Sequence, residues 1–137
     1  MSDASPLAGG CLCGAIRYRL TGPIIFCGIC HCRSCRLSAG AESVGWATVA
    51  TSDFALDAGS PAAYASSAGV QRGFCANCGT TLTFRLEGGD SIDVTLASLD
   101  DPESAPVSSE VWLDHRLSWN PANPKLTGYP REGAPAS

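Results

Sequence analysis

Eight cysteines occupy three short clusters of this chain: Cys11 with Cys13, then Cys27, Cys30, Cys32 and Cys35, then Cys75 with Cys78. Thiols one or two residues apart are spaced to hold one soft metal ion, whereas structural disulfides usually join segments distant in the chain. The patterns C-x-C-G, C-x2-C-x-C-x2-C and C-x2-C-G therefore read first as zinc ligands. Two other readings compete. A disulfide framework belongs to an oxidising compartment, yet the N-terminus MSDASPLAGG has neither the basic n-region nor the apolar h-region of a secretory signal. A C-x2-C pair can also be a redox couple, but no βαβ pattern surrounds these pairs. Reduced thiols in such a chain are expected in the cytoplasm.

The 137 residues suit a single domain, 1–137, with about 1–8 and 130–137 expected to be loosely ordered. At 45% hydrophobic residues the chain can bury a true core, so a metal need not be its only source of stability. Only 16% of residues are charged, and the formal net charge is −4, which thiolate ligation would make more negative. That balance leaves no electrostatic footprint for nucleic acid or an anionic membrane. No run of about 18 apolar residues is present that could form a membrane span.

Strand signals dominate. The segment 11–20 alternates Ile16, Tyr18 and Leu20 against Arg17 and Arg19, and 42–50 alternates Val44, Trp46 and Thr48. PIIFCGI runs into the central cysteine cluster, and a short strand is expected around Phe54–Leu56. TLTFRL and SIDVTL, joined by Gly88-Gly89, read as a hairpin, and EVWLD (110–114) as a last strand. The end, rich in Pro and Gly, is expected over the surface. A single turn of helix is expected near 33–39. The reading is an all-β domain of short strands pinned by metal.

The clusters differ in kind. A glycine follows the last cysteine in both Cys11-Leu12-Cys13-Gly14 and Cys75-Ala76-Asn77-Cys78-Gly79. Such a knuckle turns amide N–H groups towards sulfur, and glycine readily takes the positive φ this can require. Two knuckles about 60 residues apart would complete a closed, structural site of four thiolates. In Cys30-His31-Cys32-Arg33-Ser34-Cys35 no glycine follows the final cysteine. Three thiolates within six residues can ligate one ion and leave a fourth position for water or substrate. Cys27 is the candidate fourth ligand that would close this second site; otherwise it is a buried thiol pointing elsewhere.

Over GGCLCGAIRY (9–18), CHCRSCRLSAGA (30–41), GFCANCGTTL (73–82) and IDVTLASLDDP (92–102) the chain resembles the glutathione-dependent formaldehyde-activating enzyme family, also called the centromere-protein-V/GFA domain. The resemblance implies an Mss4-like arrangement of small twisted antiparallel sheets. It implies a structural zinc on Cys11, Cys13, Cys75 and Cys78, and a second, exchangeable zinc on Cys30, Cys32 and Cys35. The implied activity is condensation of formaldehyde with glutathione, or the reverse carbon–sulfur cleavage, with a small thiol and an aldehyde as partners. Two residues depart from the family pattern: Cys27 stands where a hydrophobic residue is usual, and Glu110 near where a histidine is expected.

Adding a thiol to an aldehyde requires thiolate at neutral pH and a group to move a proton. His31 is the acid–base candidate, or else a residue packing behind its knuckle, while His115 reads as a surface residue. Glutathione carries two carboxylates, so an acidic protein needs a local basic patch. Arg33 and Arg36 are candidates within the reaction site, and Arg72 for binding the thiol. Trp46, Trp112 and Trp119 read as core or pocket wall. Ser34 lacks the His/Asp companions of a nucleophile. The competing class is a non-catalytic zinc module, used for binding or for metal or redox sensing, since a fold does not dictate a function.

Overall fold

A computed structural model of the protein describes residues 7–132. Eleven strands and one helix follow in order: β1 (Leu7–Gly10), β2 (Arg17–Leu20), β3 (Phe26–Cys30), α1 (Arg33–Ala39), β4 (Val44–Ala50), β5 (Phe54–Ala58), β6 (Ala62–Ser67), β7 (Val70–Phe74), β8 (Thr81–Leu86), β9 (Ser91–Thr95), β10 (Ser109–Val111) and β11 (Thr127–Gly128). A small sheet has the order β1-β2-β5, and an eight-stranded sheet the order β11-β10-β3-β4-β9-β8-β7-β6. Strand pairings are antiparallel except that β10 runs parallel to both β3 and β11. The strand-dominated class read from the alternation is the one observed, with the larger sheet mixed rather than purely antiparallel.

Local differences have physical causes. The alternation over 11–20 continues through a turn, so only Arg17–Leu20 is strand and Cys11–Ile16 is a knuckle. Leu7 and Ala8, expected to be loose, pair with Leu20 and Arg19 in β1–β2. The rest of that expected loose start, and 133–137, lie outside the described residues. Near the C-terminus, the amides of Trp112 and Leu113 donate to the carbonyls of Arg131 and Tyr129, which ties down part of the Pro- and Gly-rich tail.

The eight-stranded sheet is covered on both faces, and the period of two along a strand sorts its residues between them. On one face Cys27, Ala47, Val49, Ile92 and Val94 join Tyr18 and Leu20 of the small sheet in the main core. On the other, Cys30, Val44 and Trp46 pack with Cys35 of α1 and with Phe84, Val111 and Trp112. The small sheet meets the turn that follows β9 closely at Gly9, where a Cβ would lie 2.5 Å from both the Ser98 carbonyl oxygen and the Tyr18 hydroxyl. Among the described residues no helix is long and apolar enough to cross a membrane.

Candidate metal centres

All eight cysteines are free thiols, and seven of them gather into two groups. Cys11, Cys13, Cys75 and Cys78 bring their sulfurs within 4.8 Å of one another. The first two sit in the turn between β1 and β2, the others in the turn between β7 and β8. The two turns are built alike. Gly14 N–H donates to the Cys11 carbonyl at 3.1 Å and Gly79 N–H to the Cys75 carbonyl at 2.8 Å. Both glycines take positive φ, 80° and 83°, which an L-residue would adopt only with strain.

The donor set suits a metal. Cys11 Sγ lies 3.6 Å from Cys13 Sγ, and Cys13 Sγ lies 3.8 Å from Cys75 Sγ. The edge of a tetrahedron with metal–sulfur bonds of about 2.3 Å is about 3.8 Å. N–H groups also face the sulfurs: Ile16 N–H donates to Cys11 Sγ and Asn77 Nδ2 to Cys13 Sγ, each at 3.2 Å. The hydroxyl of Thr80 lies 3.2 Å from Cys78 Sγ and accepts from Leu12 N–H at 3.0 Å, joining the two knuckles. The Cys78 thiol is held down at about 5, chiefly by that hydroxyl.

Cys30, Cys32 and Cys35 form the second group, again within 4.8 Å. Cys30 ends β3, Cys32 caps α1 by accepting from Cys35 N–H at 3.4 Å, and Cys35 lies in the first turn of the helix. Cys32 N–H in turn approaches Cys30 Sγ at 3.5 Å. The Cys32 thiol is pulled far below its ordinary value by hydrogen bonds from Cys30 and Cys35, with a smaller pull from the Arg72 charge. Three sulfurs turned together and supplied with N–H donors could hold one ion in their thiolate forms.

Cys27 is not among them. It lies three positions before Cys30 on the same strand, an odd interval that turns its side chain to the opposite face. There it packs in the main core, and burial raises its thiol. The second group therefore has three protein sulfurs and no fourth supplied by this cluster.

Around the three sulfurs the structure separates residues that the sequence grouped. His31 is only 1% exposed; its Nε2 lies 2.8 Å from Glu110 Oε1, while its Nδ1 is buried without a partner. Glu110, 3% exposed, accepts the Asn123 N–H on Oε2 at 2.6 Å. The histidine expected as an acid–base candidate, or else as a packing residue, is thus buried and paired with Glu110, which stands near the expected histidine position. The 79 residues between Glu110 and His31 leave no local signal of this pair in the sequence.

Arg33 is exposed and Arg36 half-buried, with Arg36 Nε donating to the His31 carbonyl at 3.2 Å. Both line a shallow groove of about 430 Å³ with Leu37 and Trp119, the latter 69% exposed. A larger cleft of about 780 Å³ opens between the C-terminal end of α1 and the four-sulfur knuckles, and none of the three sulfurs lines it. None of the three sulfurs lines the smaller groove either, which runs along the helix that carries Cys35 and follows Cys32 and also takes in Glu42. Arg72 does not join that basic patch. It is buried on β7, and its Nη1 lies 3.7 Å from Cys35 Sγ. Trp46 and Trp112 pack beside the cluster as wall, whereas His115 and Ser34 are exposed.

Comparison with known proteins places the chain in a family. The family model for the glutathione-dependent formaldehyde-activating enzyme matches residues 6–115. The chain is 34% identical over 83 residues to an uncharacterized lyase of Schizosaccharomyces pombe, a match covering 59% of this chain and 58% of the relative. The matched region is therefore less than two thirds of that relative's length. A crystal structure of a Rhodobacter sphaeroides protein, 19% identical, superposes with a TM-score of 0.57 over 89% of this chain and 98% of that one, which shows a shared fold. With the match running from residue 6 to residue 115, the chain belongs to the glutathione-dependent formaldehyde-activating enzyme family.

Proposed function

We propose that this protein makes or breaks the carbon–sulfur bond between a small thiol, glutathione or a relative, and an aldehyde of the formaldehyde type. The observation that carries the reading is the contrast between a complete four-sulfur group and a three-sulfur group whose nearest spare cysteine, Cys27, faces away. Zinc is the metal the donor chemistry favours, with Cys11, Cys13, Cys75 and Cys78 holding a structural ion and Cys30, Cys32 and Cys35 a second one. A zinc ion in the second group would bind the substrate's sulfur and favour its thiolate form.

The chain's own groups supply the rest. Arg33 and Arg36 line a groove along the helix that carries Cys35 and suit the carboxylates of a dianionic thiol, with Leu37 and Trp119 against its apolar parts. His31 and Glu110, buried and bonded to each other, hold the Cys30–Cys32 knuckle in shape. Cobalt substitution tests the reading. Two metals per chain are expected, with a thiolate absorption band that changes when glutathione is added. Two sites whose spectra both match full thiolate ligation and ignore glutathione would sink the enzyme reading and favour a non-catalytic zinc module.

A further inference from the structure

When a thiolate adds to an aldehyde, the new carbon–sulfur bond forms as the carbonyl π bond breaks, and the negative charge moves to oxygen. That charge needs a fixed positive partner inside the site. Three thiolate ligands donate charge to any metal they hold and leave it a poor acceptor for a carbonyl oxygen. The cluster therefore lacks an electrophile of its own.

Arg72 stands beside the cluster, against Cys35. It is 8% exposed, and no other arginine or lysine is buried among the described residues. Its guanidinium is fixed from three sides. Nε donates to Ser66 Oγ at 3.0 Å, Nη1 reaches Ser38 Oγ at 3.3 Å and Cys35 Sγ at 3.7 Å, and Cζ lies 4.9 Å from the centre of the Phe84 ring. Nη2 has no hydrogen-bond partner among the described residues. That nitrogen is not sealed from solvent either. A planar cation with several donors, held by two of its nitrogens, can direct the third at a substrate oxygen.

We propose that Arg72 is a catalytic residue: its Nη2 donates to the aldehyde oxygen and stabilises the alkoxide formed as sulfur attacks. In the reverse direction it holds the same oxygen as the carbon–sulfur bond breaks. The proton released by the thiol ends on the alkoxide, giving the neutral hydroxyl adduct, so the step needs no oxidant or reductant. A preorganised donor of this kind costs no reorganisation when the charge develops. The inference rests on the carbon–sulfur chemistry proposed above and assigns the electrophilic role within it.

The alternative is that Arg72 only pins β7 to α1 and balances the charge on sulfur. Arg72→Met and Arg72→Lys separate the two, assayed with glutathione and formaldehyde on metal-loaded protein. Calorimetry of glutathione binding and the cobalt–thiolate spectrum serve as readouts independent of turnover. The expected result for Arg72→Met is a fall in kcat of about 100- to 1000-fold. Both cobalt sites and the glutathione dissociation constant should be unchanged. Arg72→Lys, which keeps a charge but not the fork, should recover part of the loss, and added guanidinium should restore part of the rate to Arg72→Ala. Loss of the second cobalt site, weakened glutathione binding that accounts for the whole defect, or an undiminished kcat would each overturn the assignment. A wild-type protein inactive towards a panel of small thiols with formaldehyde would overturn the carbon–sulfur reading, and this role with it. An active wild type whose variants keep full kcat overturns the role of Arg72 alone.

Discussion

The two cysteine groups share a chemistry and differ in reach. The four-sulfur group takes its members from turns more than 60 residues apart and sits against the core between the two sheets. The three-sulfur group comes from six consecutive residues at one strand–helix junction, on the opposite face of the larger sheet. Closing a long loop in the native state links metal binding to folding, because the unfolded chain cannot hold its ligands together. A local group restricts few residues beyond its own turn. On the proposed reading one cluster would hold the fold and the other would gain and lose ligands, and their surroundings differ accordingly. Glycine turns and a threonine knit the first, whereas an arginine, a buried His–Glu pair and two arginines along a groove surround the second.

The most direct way to break this comparison is to remove one sulfur from each group. Cys78→Ala is expected to abolish soluble folded protein, as read by expression and circular dichroism. Cys32→Ser should keep a cooperative melt while losing one equivalent of bound metal. Equal damage from both substitutions would mean that the two groups are not divided into fold and chemistry.

A smaller effect should distinguish the two faces of the sheet. Asp93 lies across from Thr48, its Oδ1 accepting from Thr48 Oγ1 at 2.7 Å, and burial pushes its carboxyl up to about 6 from an ordinary 3.8. Between those values the folded protein keeps a proton that the unfolded chain releases, so this group makes stability fall as pH rises. Asp93→Asn cannot ionise. Its stability relative to wild type should grow from about pH 4 to pH 6 and then level off, at no more than about 3 kcal/mol. Denaturant melts across that range check it, and a difference that stays flat with pH would show the carboxyl to be effectively solvated.

The smallest effect is expected at the leftover thiol. Cys27→Ala should cost about 1 kcal/mol of packing and leave metal content and the cobalt spectrum of both groups unchanged. Loss of a metal equivalent would put Cys27 back among the ligands and close the second group.

Ligand spacing was legible in the sequence because a knuckle is made by neighbours along the chain. Two C-x1–2-C-G turns announce their own geometry, down to the positive φ at Gly14 and Gly79. The strand-rich class was legible too, through the period of two in β4, β8 and β9. The side of the sheet on which Cys27 falls was also within reach, since an interval of three on an extended strand reverses direction. The sequence leaves both readings of Cys27 open because it does not show that the strand extends to Cys30. The β1 strand and the β10–β3 parallel pairing left no comparable signal, because such pairs depend on which distant backbone is available.

By itself, then, the sequence determined which atoms could bind metal and that short strands would carry them. Tertiary structure decided what stands around those atoms. It placed Glu110 on His31 across 79 residues, turned Cys27 into the core, and drew Arg72 out of an expected basic patch to a point 3.7 Å from a sulfur. The physical reason is range: a turn is set by residues within a few positions, but burial and charge pairing are set by whichever segments the sheet brings alongside.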